Sequence, residues 1–292
     1  MGPVHYLDQW VFRMISKIRW ISFLLSILLG LPVQAALVLE GKATQGGWMI
    51  AHDDNAEMPI LEAQLDGKPL LISSSGYLVF GFGRDAGPDH LLTLRYHQGV
   101  APVSHPITVT QRRYNIQRIE GIEPRIMTPS AEDLVRIDHE AAAVQAARKI
   151  ASDRQDFLQQ FHWPAKGPIS GVYGSQRVYN GVPKNPHMGL DIAAPKGAWI
   201  KAPIAGKVVF AEPDLFYSGG TVILDHGLGL FSTYIHMEWV AVNIGDELKQ
   251  GDHIGKVGAK GRASGPHLHW GMSWFEERLD PQLWLPSIES KE

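Results

Sequence analysis

The sequence predicts a mainly β protein: an N-terminal immunoglobulin-like β-sandwich, one connecting helix, and a C-terminal antiparallel β-sheet domain with a sandwich-like body. Three observations predict it. Short runs of β-branched and aromatic residues, separated by glycine and proline turns, recur along most of the chain. One alanine-rich stretch carries a helical repeat. Two polar motifs far apart, His187-Met-Gly-Leu-Asp191 and His267-Leu-His269, have even spacings that put their polar side chains on one face of a strand.

Residues 1–35 read as an export signal. Arg13, Lys17 and Arg19 precede the apolar run Ile21–Leu31, and Pro32-Val-Gln-Ala35-Ala36 supplies a small-residue cleavage pattern after Ala35. The run is shorter than the roughly 20 residues that span a bilayer. A cleaved signal is therefore favoured, and the destination is the periplasm or the exterior. The long leader from Met1 leaves an uncleaved inner-membrane anchor open, as well as a start at Met14. The chain has no cysteine, which excludes a lipid-modified cysteine anchor and disulfides, so an exported chain of this kind relies on its core.

Residues 36–120 carry seven short strand signals: Leu37–Leu39, Trp48–Ile50, Leu61–Leu65, Leu70–Ile72, Tyr77–Phe82, Leu91–Tyr96 and Ile107–Thr110, with Asp66-Gly67 as a hairpin turn. This spacing suggests an immunoglobulin-like β-sandwich. Such a module could dock a protein regulator, bind glycan, cover an active site or act as a spacer. Residues 121–163 form a linker and helix. Pro124 and Pro129 come first, Ser130 is the N-cap, and Glu132 and Asp133 suit the positive end of the helix dipole. Leu134, Ile137, Ala141, Val144 and Ala147 extend the repeat through about Phe161. The helix is expected to pack along the C-terminal domain.

Residues 164–285 form the second β unit. Val208–Phe210, Thr221–Leu224 and Phe231–Tyr234 are strand runs, and Gly245–Gly255 has the cadence of a tight sandwich turn. Biotinyl and lipoyl carriers share that cadence. They present a modifiable lysine at a hairpin tip, however, and neither Lys207 nor Lys256 stands in such a hairpin. The two polar motifs offer imidazole, carboxylate and imidazole, a set that suits zinc. Three protein ligands leave a coordination position open for water, as in catalytic sites. The same set binds iron in oxygenases, but those need a jelly-roll body and a cosubstrate site that the sequence does not show. A fourth polar side chain is available for proton transfer.

The wider context, HMGLDIAAPKGAWIKAPIAGKVVFA, GGTVILDHGLGLFSTYIHM, VNIGDELKQGDHIGKVGAKGRASGPHLHWGM and the closing DPQLWL, resembles the LytM/lysostaphin-type zinc metallopeptidases over residues 165–285. Those enzymes cut peptide cross-links in bacterial cell walls. The resemblance implies His187, Asp191 and His269 as ligands of one zinc ion, His267 beside the metal-bound water, and His236, after the Ser232-Thr-Tyr234 segment, as a second catalytic histidine. Without it, His236 would read as a buried histidine on a backbone carbonyl. Relatives that have lost ligands act as amidase activators, and all five positions are filled here. Arg177, Asn180 and Tyr234 are the expected substrate-binding residues; for Arg177 and Asn180 a flexible glycine-rich loop is the alternative. His226 and His253 read as turn or surface residues. The expected function is an exported zinc metalloendopeptidase acting on peptidoglycan. A formal net charge of −3 with no basic patch argues against nucleic-acid binding.

Overall fold

The computed structural model describes residues 37–54, 59–97, 99, 101–121 and 124–285. The expected export signal lies outside the described residues. Among those described, no helix is long and apolar enough to cross a membrane. The fold is mainly β, and Leu37 onward clusters as one compact unit.

The N-terminal part contains β1 (Leu37–Gly41), β2 (Trp48–Asp53), β3 (Glu62–Leu65), β4 (Lys68–Pro69), β5 (Leu78–Gly81), β6 (Asp89–Arg95), β7 (Val103–Thr108) and β8 (Ile116–Ile119). The first seven form two antiparallel sheets, ordered β1-β2-β5 and β4-β3-β6-β7. The strand expected at Leu70–Ile72 shrinks to a single bridge, Ile72 to Leu78. Helices α1 (Pro124–Met127) and α2 (Ala131–Ala147) follow. The C-terminal part contains β9 (Ile169–Gly171), β10 (Gln176–Tyr179), β11 (Val182–Pro183), β12 (Leu190–Ile192), β13 (Trp199–Lys201), β14 (Gly206–Leu215), β15 (Gly219–Gly227), β16 (Leu230–Val240), β17 (Glu247–Leu248), β18 (His253–Val257), β19 (Leu268–Trp274) and β20 (Glu277–Leu279). Its main sheet runs β17-β14-β15-β16-β19-β12-β9, with β13, β18 and β20 attached at the side. Lys207 lies within β14 and Lys256 within β18, not at hairpin tips.

Alternation along β16 and β19 sorts the side chains. Leu230, Tyr234, Leu268, Trp270 and Met272 enter the large core. Phe231 points the other way, where it joins Phe210, Leu215, Ile223 and Ala147 of α2. The capping box of Ser130 and Asp133 starts α2, and Arg125 grips Asp133 from α1. The helix ends at Ala147, well short of Phe161. Tertiary partners claim the following backbone and side chains: Leu228 donates to the Ser152 carbonyl (3.0 Å), and Ser74 donates to Asp153 (2.8 Å).

Part of the segment before the boundary expected near residue 120 shares a core with the C-terminal part. Trp48, Ile50 and Val79 of β2 and β5 lie in the same buried cluster as Leu190, Trp270 and Leu279. Trp48 stacks on Trp284 at 3.6 Å between ring centroids and meets Phe161 edge-on at 6.0 Å. Trp48→Ala is therefore expected to destabilise the whole unit by about 3–5 kcal/mol. Circular dichroism and tryptophan fluorescence should report one shifted transition; two separated transitions would mean the cores melt independently.

His226, expected at a turn or surface, is fully buried in β15. Its Nδ1 donates to the Ala205 carbonyl (2.7 Å) and its Nε2 accepts from Ser232 (2.7 Å). Burial pushes its pKa down to about 4, only partly countered by the Ala205 bond. The unfolded chain takes up this proton near pH 6.5, whereas the folded chain refuses it until about pH 4. The associated stability is intact above pH ~6.5 and declines as pH falls towards 4, by up to about 3 kcal/mol. His226→Gln should reduce the loss of stability between pH 7 and pH 4.5 in urea titrations. An equal loss in both proteins would show that another group carries it.

Candidate metal centre

Two neighbouring strands bring the polar motifs together. Asp191 of β12 and His269 of β19 are direct cross-strand partners. His187 is not on their strand, contrary to the single extended run expected, because β12 begins only at Leu190. A loop holds it instead. The His187 amide donates to the Ser175 carbonyl (2.8 Å), and Gly174 donates back to the His187 carbonyl (2.7 Å). His187 Nδ1 donates to the Val172 carbonyl (3.0 Å). That bond fixes the tautomer and leaves the Nε2 lone pair facing inward.

His187 Nε2 lies 2.9 Å from Asp191 Oδ1 and 2.8 Å from His269 Nδ1, and His269 Nδ1 lies 2.8 Å from Asp191 Oδ1. Among the described residues this is the group of acidic and imidazole side chains that could hold a metal ion. The donor set fits zinc, which takes nitrogen and oxygen ligands at about 2.0–2.2 Å and binds neutral imidazole and ionised carboxylate. Asp191 and His269 are in the protonation states such a site requires. Burial would raise the Asp191 pKa, but the His187 and His269 imidazoles packed against it hold it far below the usual carboxylate range. Burial pushes His269 down to about 4 despite the Asp191 bond, so it is neutral near pH 7. Gly189 permits the close approach, since a Cβ there would meet His269 Nε2 and the Trp270 carbonyl, both at 2.6 Å.

His236 and His267 flank this triangle. The His236 ring centroid is 4.8 Å from that of His267 and 6.2 Å from that of His269. A strict strand would turn His236 to the Tyr234 side. Instead His236 has φ +63°, and the β15–β16 register shifts between Gly220/Met237 and Val222/Tyr234. The left-handed residue turns the ring to the metal-site face. Its Nδ1 donates to the Lys260 carbonyl (2.8 Å), and burial, with His267 and His269 nearby, pushes its pKa down to about 3. His267 donates from Nδ1 to the Gly265 carbonyl (2.9 Å), and its Nε2 stands 3.8 Å from Asp191 Oδ1. Both rings therefore offer Nε2 lone pairs to the site.

The expected substrate-binding residues fare differently. Tyr234 is a correction: it is 0% exposed in the core, and its hydroxyl bonds to Ser232 (2.8 Å), so no substrate can reach it. Arg177 is also redirected. It stands on β10, not on a flexible loop, with its side chain only 12% exposed. Its Nη2 grips Asp191 Oδ2, and its Nη1 donates to the Tyr179 hydroxyl (3.0 Å). Asn180 is exposed at the β10–β11 turn with φ +47°. His253 is exposed and stacks on Trp199 at 4.1 Å, matching its surface reading. Sequence reasoning missed the supporting carbonyls of Val172, Gly265 and Lys260, because a backbone acceptor leaves no residue-type signal.

The model of peptidase family M23 matches residues 185–281. A crystal structure from Pseudomonas aeruginosa assigned to peptidase M23 is 31% identical, with a TM-score of 0.62, covering 84% of this chain and 95% of that one. The peptidoglycan DD-endopeptidase ShyA of Vibrio cholerae is 32% identical over 118 residues, 40% of this chain and 27% of its own. The murein hydrolase activator NlpD of Escherichia coli is 29% identical over 129 residues, 44% of this chain and 32% of its own. The matched segments span about a fifth to a half of the curated relatives' own lengths.

Proposed function

Because this chain belongs to peptidase family M23, we propose that it is an exported zinc metalloendopeptidase that hydrolyses peptide cross-links of bacterial peptidoglycan. The observation that carries the reading is the convergence of His187, Asp191 and His269 on one point, with His236 and His267 beside them. The similarity to ShyA supports peptidoglycan as the substrate. The basic, apolar and small-residue pattern of residues 13–36 supports action outside the cytoplasm.

In this reading His187, Asp191 and His269 hold one zinc ion. Bound zinc lowers the pKa of its water from about 15.7 towards about 7 and polarises a carbonyl. The chain supplies the rest. Arg177 holds the second oxygen of Asp191, which keeps Oδ1 turned towards the two imidazoles. Burial holds His236 well below the usual histidine range, and the Nδ1–H groups of His236 and His267 are engaged by the Lys260 and Gly265 carbonyls. Their Nε2 atoms can orient the attacking water, take its proton and deliver one to the leaving amine. The Trp270 and Leu268 side chains, on the other face of β19, are fully buried in the core.

The alternative is a catalytically silent scaffold that activates an amidase, as the name of NlpD describes for that relative. His187→Ala, Asp191→Ala and His269→Ala are each expected to lose bound zinc by elemental analysis and to stop releasing cross-linked muropeptides from sacculi. Normal digestion by any one of them would remove that residue from the ligand set. His267→Ala is expected to retain zinc while turnover drops about 10²–10⁴-fold. Loss of zinc as well would make His267 a ligand. A wild-type chain that carries zinc, digests nothing and stimulates an amidase would establish the scaffold reading instead.

A further inference from the structure

A second polar feature stands beside the metal site and takes no part in the chemistry above. Arg262 lies in the loop that joins β18 to His267. Its amide donates to the Tyr217 carbonyl (2.7 Å). Its guanidinium lies 4.8 Å from the Tyr217 ring centroid and 5.4 Å from that of Tyr179. Tyr179 in turn accepts from Arg177, which grips Asp191. Only one tyrosine and one guanidinium therefore separate Arg262 from a candidate ligand.

Across from Arg262 is the segment that leads into His187. Lys184 and Asn185 line, with Pro183 and Arg262, a pocket of about 390 Å³. The Lys184 amide is fixed on the Arg177 carbonyl (2.9 Å). Among the described residues, neither Arg262 nor Lys184 forms an ion pair with a carboxylate. Other arginines of this chain do find acidic partners, such as Arg112 with Asp280 at 2.8 Å and Arg154 with Asp156 at 2.6 Å. Here two cations face an open pocket, and one of them has two aromatic rings beside its guanidinium. A planar guanidinium fixed in this way is set up for the two parallel hydrogen bonds that a carboxylate accepts.

We propose that this pocket is a carboxylate subsite that selects acidic peptides. The inference rests on the peptidase reading and deepens it. The preferred substrate carries a free carboxylate a few residues from the scissile amide, because only Tyr179 and Arg177 lie between Arg262 and Asp191. Arg262 clamps that carboxylate, Lys184 adds charge, and Asn185 offers an amide to the neighbouring backbone. A neutral linkage such as a glycine bridge has nothing for the two cations to meet.

The test uses the zinc-loaded chain and two synthetic peptides that differ only in a free carboxylate or a carboxamide at that distance. The wild type is expected to favour the carboxylate by about tenfold or more in kcat/KM, chiefly through KM. Arg262→Ala should bring the ratio close to one, Arg262→Lys should restore part of it, and Lys184→Gln should reduce it. An unchanged ratio in Arg262→Ala, or a wild-type ratio near one, overturns the subsite. Should Arg262→Ala fail to fold, Arg262→Lys and Lys184→Gln decide on the same criterion. If the wild type cleaves neither peptide, the peptidase reading fails and calorimetry judges the subsite alone. Tighter binding of the carboxylate peptide to the wild type than to the Arg262 variants supports it, and equal binding overturns it. Competition by inorganic phosphate as strong as that by the acidic peptide would show a general anion site and overturn the peptide selectivity.

Discussion

Three electron-rich atoms, His187 Nε2, His269 Nδ1 and Asp191 Oδ1, meet within 2.8–2.9 Å of one another in a buried place. Left alone this is an unfavourable arrangement. An ionised carboxylate removed from water costs several kcal/mol unless opposite charge and hydrogen bonds compensate it. Arg177 supplies one compensating charge from the outer side of Asp191. The inner side is left to the two imidazoles, and holding these three groups together organises much of the molecule. Gly189 and Gly171 are bare because a Cβ at either position would strike His269 or Asp191.

The N-terminal residues share in this support. Arg84 donates to the Gly174 carbonyl (2.8 Å), and the Tyr114 ring packs where a Gly174 side chain would lie. Gly174 is the residue whose amide holds the His187 carbonyl. Strand β8 pairs in parallel with β10 and sets Gln117 opposite Arg177, the residue that grips Asp191. Arg112 reaches Asp280, which caps the last 3₁₀ turn beside Trp284. Residues 37–121 thus brace both the ligand loop and the arginine behind the carboxylate. A stretch packed in this way does more than set a distance.

Much of the site was legible because ligand chemistry is written in residue types. Histidine and aspartate at these spacings point to residues that could hold a metal, and period-two runs point to the strands that carry Asp191 and His269. The fold class followed from the same runs. What stayed hidden depends on tertiary context. The helix was expected to reach Phe161, but bonds from Leu228 and Ser74 to residues 152 and 153 redirect the chain. Arg177 looked like a substrate contact because a sequence cannot show which of two carboxylates, the protein's or the ligand's, an arginine will meet. Tyr234 sits two residues before a functional histidine, yet the strand alternation sends it into the core. His226 hid for the converse reason: its aspartate and glycine neighbours suggested a turn, while its ring is satisfied inside the core.

His236 shows why one of these failures is informative. Alternation from Tyr234 places residue 236 on the core side, and a sequence reading without family context would leave it there. The chain departs from alternation at that residue, with φ +63°, a conformation that costs a non-glycine residue roughly 1–3 kcal/mol. Core packing alone gives no reason for such a cost, since a small apolar residue with regular strand geometry would fill the same sheet position. The compensation lies in the Lys260 carbonyl and the Ser218 carbonyl, which accept from the ring and the backbone amide at 2.8 and 2.7 Å. The structure thus spends hydrogen bonds to hold an imidazole 4.8 Å from His267 in a conformation the strand would not otherwise adopt. A local rule broken at the centre of a convergent polar cluster, and over-determined by its surroundings, is the pattern expected where a residue serves a site and not the core.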